Sequence, residues 1–393
     1  MRDKPIVLST AAVLLVSIPV WAAIPGDFEP DGDVDFNDFA VFVGAWLTAP
    51  GESAWNPACE MAFPPDQLID SLDLTAFSKY LLACEPPDLA PNMVLVPGGT
   101  FQMGDAFNYS DRLRVHTVTV DSFYMDKYEI SNRQYCAFLN SSLDQGLITV
   151  IDGVVYKAGK GMTYPYCDTS TRNSSSQIAH SGGVFSVRTK GGRDMSNYPM
   201  ACIGWYGTVA YCNWRSQQEG YEQCYDLSTW NCDFSKHGYR LATEAEWEYA
   251  ARGGLSGKRF PWGETITQSH ANYRSGRYYS YDQSPKRGYH PAWNDGIYPY
   301  TSPIGSFSAN AYGLYDMSGN VWEWCNDWYQ WDYYTRRPSP HVNPTGPTLG
   351  RWRVLRGGCW GVDASFCRVA ERYLHSPDLC YHYFGFRVVL NWN

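Results

Sequence analysis

Side chains able to hold metals or carry out chemistry fall into two groups in this sequence. Near the N-terminus, Asp27, Glu29, Asp31, Asp35 and Asp38 occupy positions 1, 3, 5, 9 and 12 of a twelve-residue loop. Gly32 sits at its sharp turn, and Asp33 at position 7 offers a backbone carbonyl. Such a ring of oxygens suits a hard cation and predicts a calcium loop. A poorer copy passes through Asp66, Asp70 and Asp73, with Gln67 in place of the glycine. The second group is sulfur: twelve cysteines, at 59, 84, 136, 167, 202, 212, 224, 232, 325, 359, 367 and 380. Thiols serve as soft-metal ligands, nucleophiles or disulfide partners, and the compartment helps to select among these roles.

The N-terminus bears on that compartment. Arg2 and Lys4 precede an apolar run from Ile6 to Val16, and Val20, Trp21 and Ala22 supply a signal-peptidase pattern. Residues 1–23 therefore read as a cleaved signal peptide, which predicts an exported protein, secreted, periplasmic or held at the cell surface. The alternative is a membrane anchor, for which the uncharged run is short and interrupted by Pro19. No later stretch is apolar enough to cross a bilayer, so the mature chain is expected to have no transmembrane segment. Export in turn predicts that several cysteines form disulfides, with Cys59 and Cys84 as one candidate pair. The balance of 40 acidic against 31 basic residues, net charge -9, has no dense Lys/Arg stripe and argues against nucleic acid as a partner.

The elements that position these groups are legible in outline. Residues 24–85 read as two loop-helix units, one helix carrying Phe39, Val41, Phe42 and Trp46, the other Leu74, Phe77, Leu81 and Leu82. The Pro-rich stretch 86–91 reads as a linker, and residues 92–393 as a larger domain. In that domain Thr117 to Tyr124 alternates like a half-buried strand. Ser131 with Gln134, and Thr243 with Glu246, match the capping box that opens a helix; the second helix runs from Glu244 to Arg252 and stops at Gly253 and Gly254. A third helical stretch is expected over Trp205 to Arg215. No nucleophile elbow, phosphate loop or dinucleotide fingerprint stands in a credible context, and the eight histidines show no metal-binding pairing at helix spacing.

The paired loop-helix units resemble a dockerin, the module that plugs into a cohesin, which would make a cohesin a partner. Six segments of the larger domain, MVLVPGGTFQMG from Met93 to Gly104, DKYEISN from Asp126, RLATEAEWEYAAR from Arg240, YGLYDMSGNVWEW from Tyr312, RVLRGG from Arg353 and GFRVV from Gly385, are similar to the signature segments of the sulfatase-modifying-factor family, that of the formylglycine-generating enzymes. The resemblance implies an α+β, C-type-lectin-like fold with much irregular backbone, beside a small α-helical dockerin-like calcium module. It also implies two further calcium sites. One would use the side chains of Asn272 and Asp295 with the carbonyls of Tyr273 and Ile297; the other, Asp316 and Glu323 with the carbonyls of Gly319 and Val321. The alternative is that Asp316 and Glu323 cap turns or pair with arginines.

The family's activity is oxidation of a sulfatase cysteine to formylglycine, with copper(I) held by two cysteines that have four residues between them. Aligned on Arg356-Gly-Gly, the second falls on Cys367 and the first on Val362, which offers no ligand atom; Cys359 stands where the family has serine. Cys367 and Cys359 are thus the candidate catalytic thiols, as an alternative soft-metal pair or a disulfide. Two functions follow: a copper-dependent oxidase acting on a sulfatase-type cysteine peptide, or a non-catalytic, calcium-stabilised domain that binds a peptide or glycan.

Overall fold

In a computed structural model of the chain, residues 92–106, 114–336 and 339–391 are described, and they belong to one unit beginning at Asn92. The calcium loop expected at Asp27–Asp38, its expected second copy, the expected signal segment and the candidate Cys59/Cys84 pair lie outside the described residues. The elements that position the site are, in chain order, β1 (Met93–Val96), β2 (Gly99–Met103), β3 (His116–Val120), β4 (Phe123–Asp126), α1 (Asn132–Asp144), α2 (Trp205–Gln218), β5 (Tyr239–Leu241), α3 (Glu244–Arg252), β6 (Trp322–Trp328), β7 (His341–Val342), β8 (Arg353–Arg356), β9 (Tyr373–His375), β10 (Phe384–Gly385) and β11 (Val388–Asn391). Short hairpins fill the stretch between α1 and α2. This is the mixed, strand-dominated architecture expected, with few helices and much irregular backbone.

Three small sheets organise the unit. An antiparallel sheet has the order β1-β4-β11-β5, a second β9-β8-β6-β10 with β6 and β10 parallel, and a third β7-β3-β2, which leaves β2 at an edge. The helices begin where local chemistry sets them. Ser131 Oγ accepts from Gln134 N while Gln134 Oε1 accepts from Ser131 N, and Thr243 with Glu246 repeats the arrangement, satisfying free amides at each start. Helix α3 ends at Gly253, whose φ of 53° favours glycine. Helix α2 begins at Gly204 with no side-chain cap and runs three residues past the expected end at Arg215. The single strand expected over Thr117–Tyr124 is two, β3 and β4, broken at Asp121 and Ser122. There Ser122 Oγ accepts from Gly98 N and Asn343 Oδ1 accepts from Asp121 N.

The main core joins the inner faces of these sheets to α3: Val96, Val118, Phe123, Met125, Val354 and Val389 pack with Trp247, Ala250 and Ala251. Burying such side chains supplies about 1.5–3 kcal/mol each against exposure, before the cost of ordering them. No described helix is long and apolar enough to cross a membrane. The expected disulfides are absent among the described residues, where all ten cysteines are free thiols.

Candidate functional site

Strand β8 delivers the chain to the site through Gly357 and Gly358, with φ of 92° and 80°. Conformation favours glycine at both, and space adds to that at Gly358. A Cβ on Gly357 would lie 3.1 Å from the Trp247 ring, and one on Gly358 would lie 2.9 Å from Cys367 Sγ. Beyond them the chain folds back in short turns: Val362 N donates to Cys359 O, Phe366 N to Asp363 O and Cys367 N to Ala364 O. The Cys367 sulfur therefore lies against the residue next to Cys359.

Both thiols are fully buried. Burial pushes Cys359 up to about 12 and Cys367 well above the ordinary thiol range, the latter raised further by its neighbour Cys359. Cys367 belongs to an apolar cluster with Phe260, Ile266, Ala271, Tyr273 and Ala364, and Val362 packs against that cluster. The residues present do not fit a two-thiolate copper(I) site of the family's spacing. The position that the resemblance aligns with its first ligand is Val362, whose two methyl groups offer no sulfur.

Beside this loop stands a cluster of rings. Trp360, fully buried, has Tyr383 at 4.7 Å, Tyr300 at 5.2 Å, Tyr289 and Tyr298 at 5.7 Å and His382 at 6.0 Å between ring centroids. Its indole nitrogen is buried without a hydrogen-bond partner. Tyr381 extends the cluster through His382 and Tyr383, and it and Tyr298 are 40% and 41% exposed. Gly361 makes room for Tyr383, which a Cβ there would approach to 2.5 Å. Burial lowers the pKa of His382, favouring the neutral ring. Sequence reasoning registered the abundance of aromatic residues but not this convergence, which draws on segments up to about ninety residues apart.

The two calcium sites implied by resemblance are placed differently. In the first, Asn272 is buried and donates from Nδ2 to Tyr300 O at 2.8 Å, while its Oδ1 is buried without a partner. Asp295 lies towards the surface, its side chain 36% exposed and paired with Arg193 at 3.0 Å. Gln268 donates to the carbonyl of Tyr273, and Arg193 to that of Ile297. The structure thus divides the proposed side-chain ligands between core and surface.

In the second, Asp316 (φ 56°) accepts from Gly305 N at 2.6 Å through one oxygen and leaves the other buried and unpartnered. Burial pushes Asp316 up to about 6. Glu323 has partners within the fold: Arg387 forks onto both its oxygens at 2.7 Å, and Trp247 Nε1 donates to one of them at 2.7 Å. The arginine pairing weighed from the sequence is what the structure shows for Glu323. Sequence reasoning missed Glu129. It accepts from Asn320 Nδ2 and Val321 N, and burial, then Asp316 and Glu323, hold its carboxyl well above the usual range. A Cβ on Gly319 would lie 2.4 Å from Asn272 O, so the glycine lets the two places pack together. No group of three or more His, Cys, Asp or Glu residues is arranged to hold a metal among the described residues. The unpartnered oxygens of Asn272 and Asp316 are nonetheless the acceptors a calcium ion with amide, carbonyl and carboxylate ligands would use, and in that respect the residues fit the ion.

Comparison with known proteins agrees with the six segments. Residues 81–392 match the family model described as the sulfatase-modifying factor enzyme 1-like domain. A formylglycine-generating enzyme of Thermomonospora curvata is 34% identical over 317 residues, covering 77% of this chain and 94% of its own. The enzyme of that name from Mus musculus is 32% identical over 318 residues, covering 75% and 74%. Among solved structures, CarF matches with a TM-score of 0.50 at 22% identity, over 76% of this chain and 97% of its own, a likeness of fold. The chain belongs to the sulfatase-modifying factor enzyme 1-like family.

Proposed function

We propose that this chain is a calcium-stabilised member of the family that binds its partner without oxidising it, taking a peptide or glycan segment against the aromatic face around Trp360. The observation that carries the reading is the packing of Val362 against the apolar cluster that buries Cys367, at the position where the family's chemistry needs a second thiolate. Rings such as Tyr298 and Tyr381 offer large contact area with few rotatable bonds, which favours them at binding surfaces. Calcium held near Asn272, and near Asp316 with Glu129, would satisfy buried oxygens and stiffen the loops beneath that face. Export through residues 1–23 and display on a cohesin partner through the loop at Asp27–Asp38 belong to the same proposal, supported by the flanking charges and the oxygen spacing.

A second reading, an oxidase that uses Cys359 with Cys367, is favoured by the contact of the Cys367 sulfur with Gly358 and by the name its relatives carry. One experiment separates the two. The full chain, reduced, is titrated with copper(I) and then incubated with a sulfatase-type Cys-x-Pro-x-Arg peptide under oxygen, the peptide being followed by mass spectrometry. The expected result is neither stoichiometric copper nor a change in the peptide, in a protein that calcium still stabilises against heat. Tight copper with conversion of the peptide cysteine would overturn the proposal and assign Cys359 and Cys367 to an oxidase.

A further inference from the structure

We infer that the cleft between β2 and the C-terminal end of α3 is a binding site for a neutral saccharide, separate from the Trp360 face. Its volume is about 360 Å³, and no residue of the Cys359–Cys367 loop lines it. That volume lies in the lower part of the range for small-ligand pockets, the scale of one or two sugar rings.

The cleft is built rather than incidental. Three rings run along it, Phe101 to Tyr249 at 5.1 Å and Tyr249 to Tyr312 at 5.9 Å between centroids. Gly99 leaves the space Tyr249 occupies, since a Cβ there would lie 2.7 Å from the Tyr249 hydroxyl. Tyr312 is held by Asn310. The Asn310 amide donates to Ala250 O and Ala251 O at the end of α3, while its Oδ1 accepts from Tyr312 N and Leu314 N. A single side chain thus caps the helix and orients the ring at the mouth, a degree of pre-organisation that lowers the entropy lost when a ligand binds.

The chemistry of the lining selects the ligand. Ring faces suit the C–H surface of a pyranose, and the hydroxyls of Ser256, of Thr100, which is bonded to Thr119, and of Tyr312 and Tyr249, the first donating to the second at 3.4 Å, keep acceptor capacity that with the Gln102 amide suits its hydroxyls. Gln102 donates to Thr117, leaving its amide oxygen to accept. The cation in the lining is Arg252, and it is committed: its guanidinium donates to Glu248 at 2.7 and 3.0 Å, to Gly104 O at 2.7 Å and to Lys258 O at 3.2 Å. No carboxylate lines the cleft among the described residues. A charged ligand would shed water there without finding a counter-charge, whereas a neutral polyhydroxylated ring would not face that cost. Because β2 is a sheet edge, an extended peptide pairing with it is the competing occupant.

The test uses the full chain and a panel of neutral oligosaccharides, the α- and β-linked tetrasaccharides of glucose, mannose, galactose and N-acetylglucosamine, by saturation-transfer NMR and calorimetry. At least one is expected to bind. Tyr312→Ala should then weaken it about tenfold through loss of one stacking ring. Tyr312→Phe should retain most of the affinity, and Gln102→Ala, at an exposed position, should weaken it without disturbing the fold. Tyr381→Ala, on the Trp360 face, should leave it unchanged. Failure of every saccharide to bind would overturn the inference. So would loss on Tyr381→Ala with none on Tyr312→Ala and Gln102→Ala, or displacement of the sugar by an extended peptide that pairs with β2. The inference stands apart from the binding-domain reading, since an oxidase at Cys367 could carry the same cleft.

Discussion

Replacing Arg387 by methionine tests the electrostatics beneath the site. Arg387 and Glu323 are each 1% exposed, and the guanidinium also donates to the carbonyls of Asp126, Lys127 and Tyr315. Glu129 and Asp316 stand near enough to Glu323 to raise one another's protonation, and Arg387 opposes that in both. Arg387→Met therefore leaves Glu323 with the Trp247 N–H alone among these partners and removes the cation that opposes the protonation of Glu129 and Asp316. Breaking a buried pair by removing one partner costs about 3–5 kcal/mol, partly relieved here by proton uptake in the carboxyl cluster. For a unit of about 300 residues, an unfolding entropy near 2 cal/mol/K per residue converts that cost to a fall in Tm of about 5–8 °C. The assay is thermal unfolding by circular dichroism, in chelator and in excess calcium. In calcium the variant should recover part of the loss, because three carboxylates without an arginine attract a divalent cation more strongly than the paired set does. A fall in chelator of less than about 2 °C would refute the view that this pair holds the buried charge in place. A calcium increment no larger than in the wild type would place the ion away from Glu129, Asp316 and Glu323.

Two further outcomes bear on the thiol loop and on pH. Val362→Cys restores a cysteine with four residues between it and Cys367, and should create copper(I) binding measurable by competition with a chromophoric chelator; no gain would mean that the 359–367 backbone does not hold the two sulfurs in ligand geometry. Asp327 is buried, with one oxygen accepting from Glu244 N and the other unpartnered, and burial, then Glu244, pushes its carboxyl up to about 8. The folded state therefore keeps up to about pH 8 a proton that the unfolded chain releases near pH 4, so stability falls as pH rises between those two values. Asp327→Asn removes this dependence. Denaturant titrations should show the variant gaining on the wild type from pH 5 to pH 8 by something on the order of 2 kcal/mol, and a constant gap would refute the assignment.

What was legible in the sequence was what neighbours in the chain decide. The boxes at Ser131 and Thr243 marked α1 and α3 because a cap is a bond between residues three apart. The end of α2 and the break between β3 and β4 were not legible, since the break depends on Asn343, 222 residues from Asp121. The same distinction runs through the site. Glu129 is a carboxylate beside a predicted helix until Asn320, 191 residues on, donates to it. Glu323 looked available to a cation until the fold brought Arg387 across 64 residues.

The signature segments that identify the family are mostly the ones that hold the fold together, which explains how membership and activity can part. Arg356 is fully buried against Glu248, and Glu248 also receives Arg252 and the amide of Gly104. Glu244 takes Arg372, and Gly357 lies against Trp247. These contacts join the β8 turn, α3 and the end of β2 in one network of buried charges, in which losing any one partner leaves another uncompensated. None of these contacts involves position 362. The turns of the Cys359–Cys367 loop are set by backbone bonds and by Gly358, so, on the alignment the resemblance implies, valine or cysteine at 362 would differ little for the fold and greatly for copper(I) ligation. The 34% identity to a formylglycine-generating enzyme is thus evidence about architecture, and the chemistry has to be read at the loop itself.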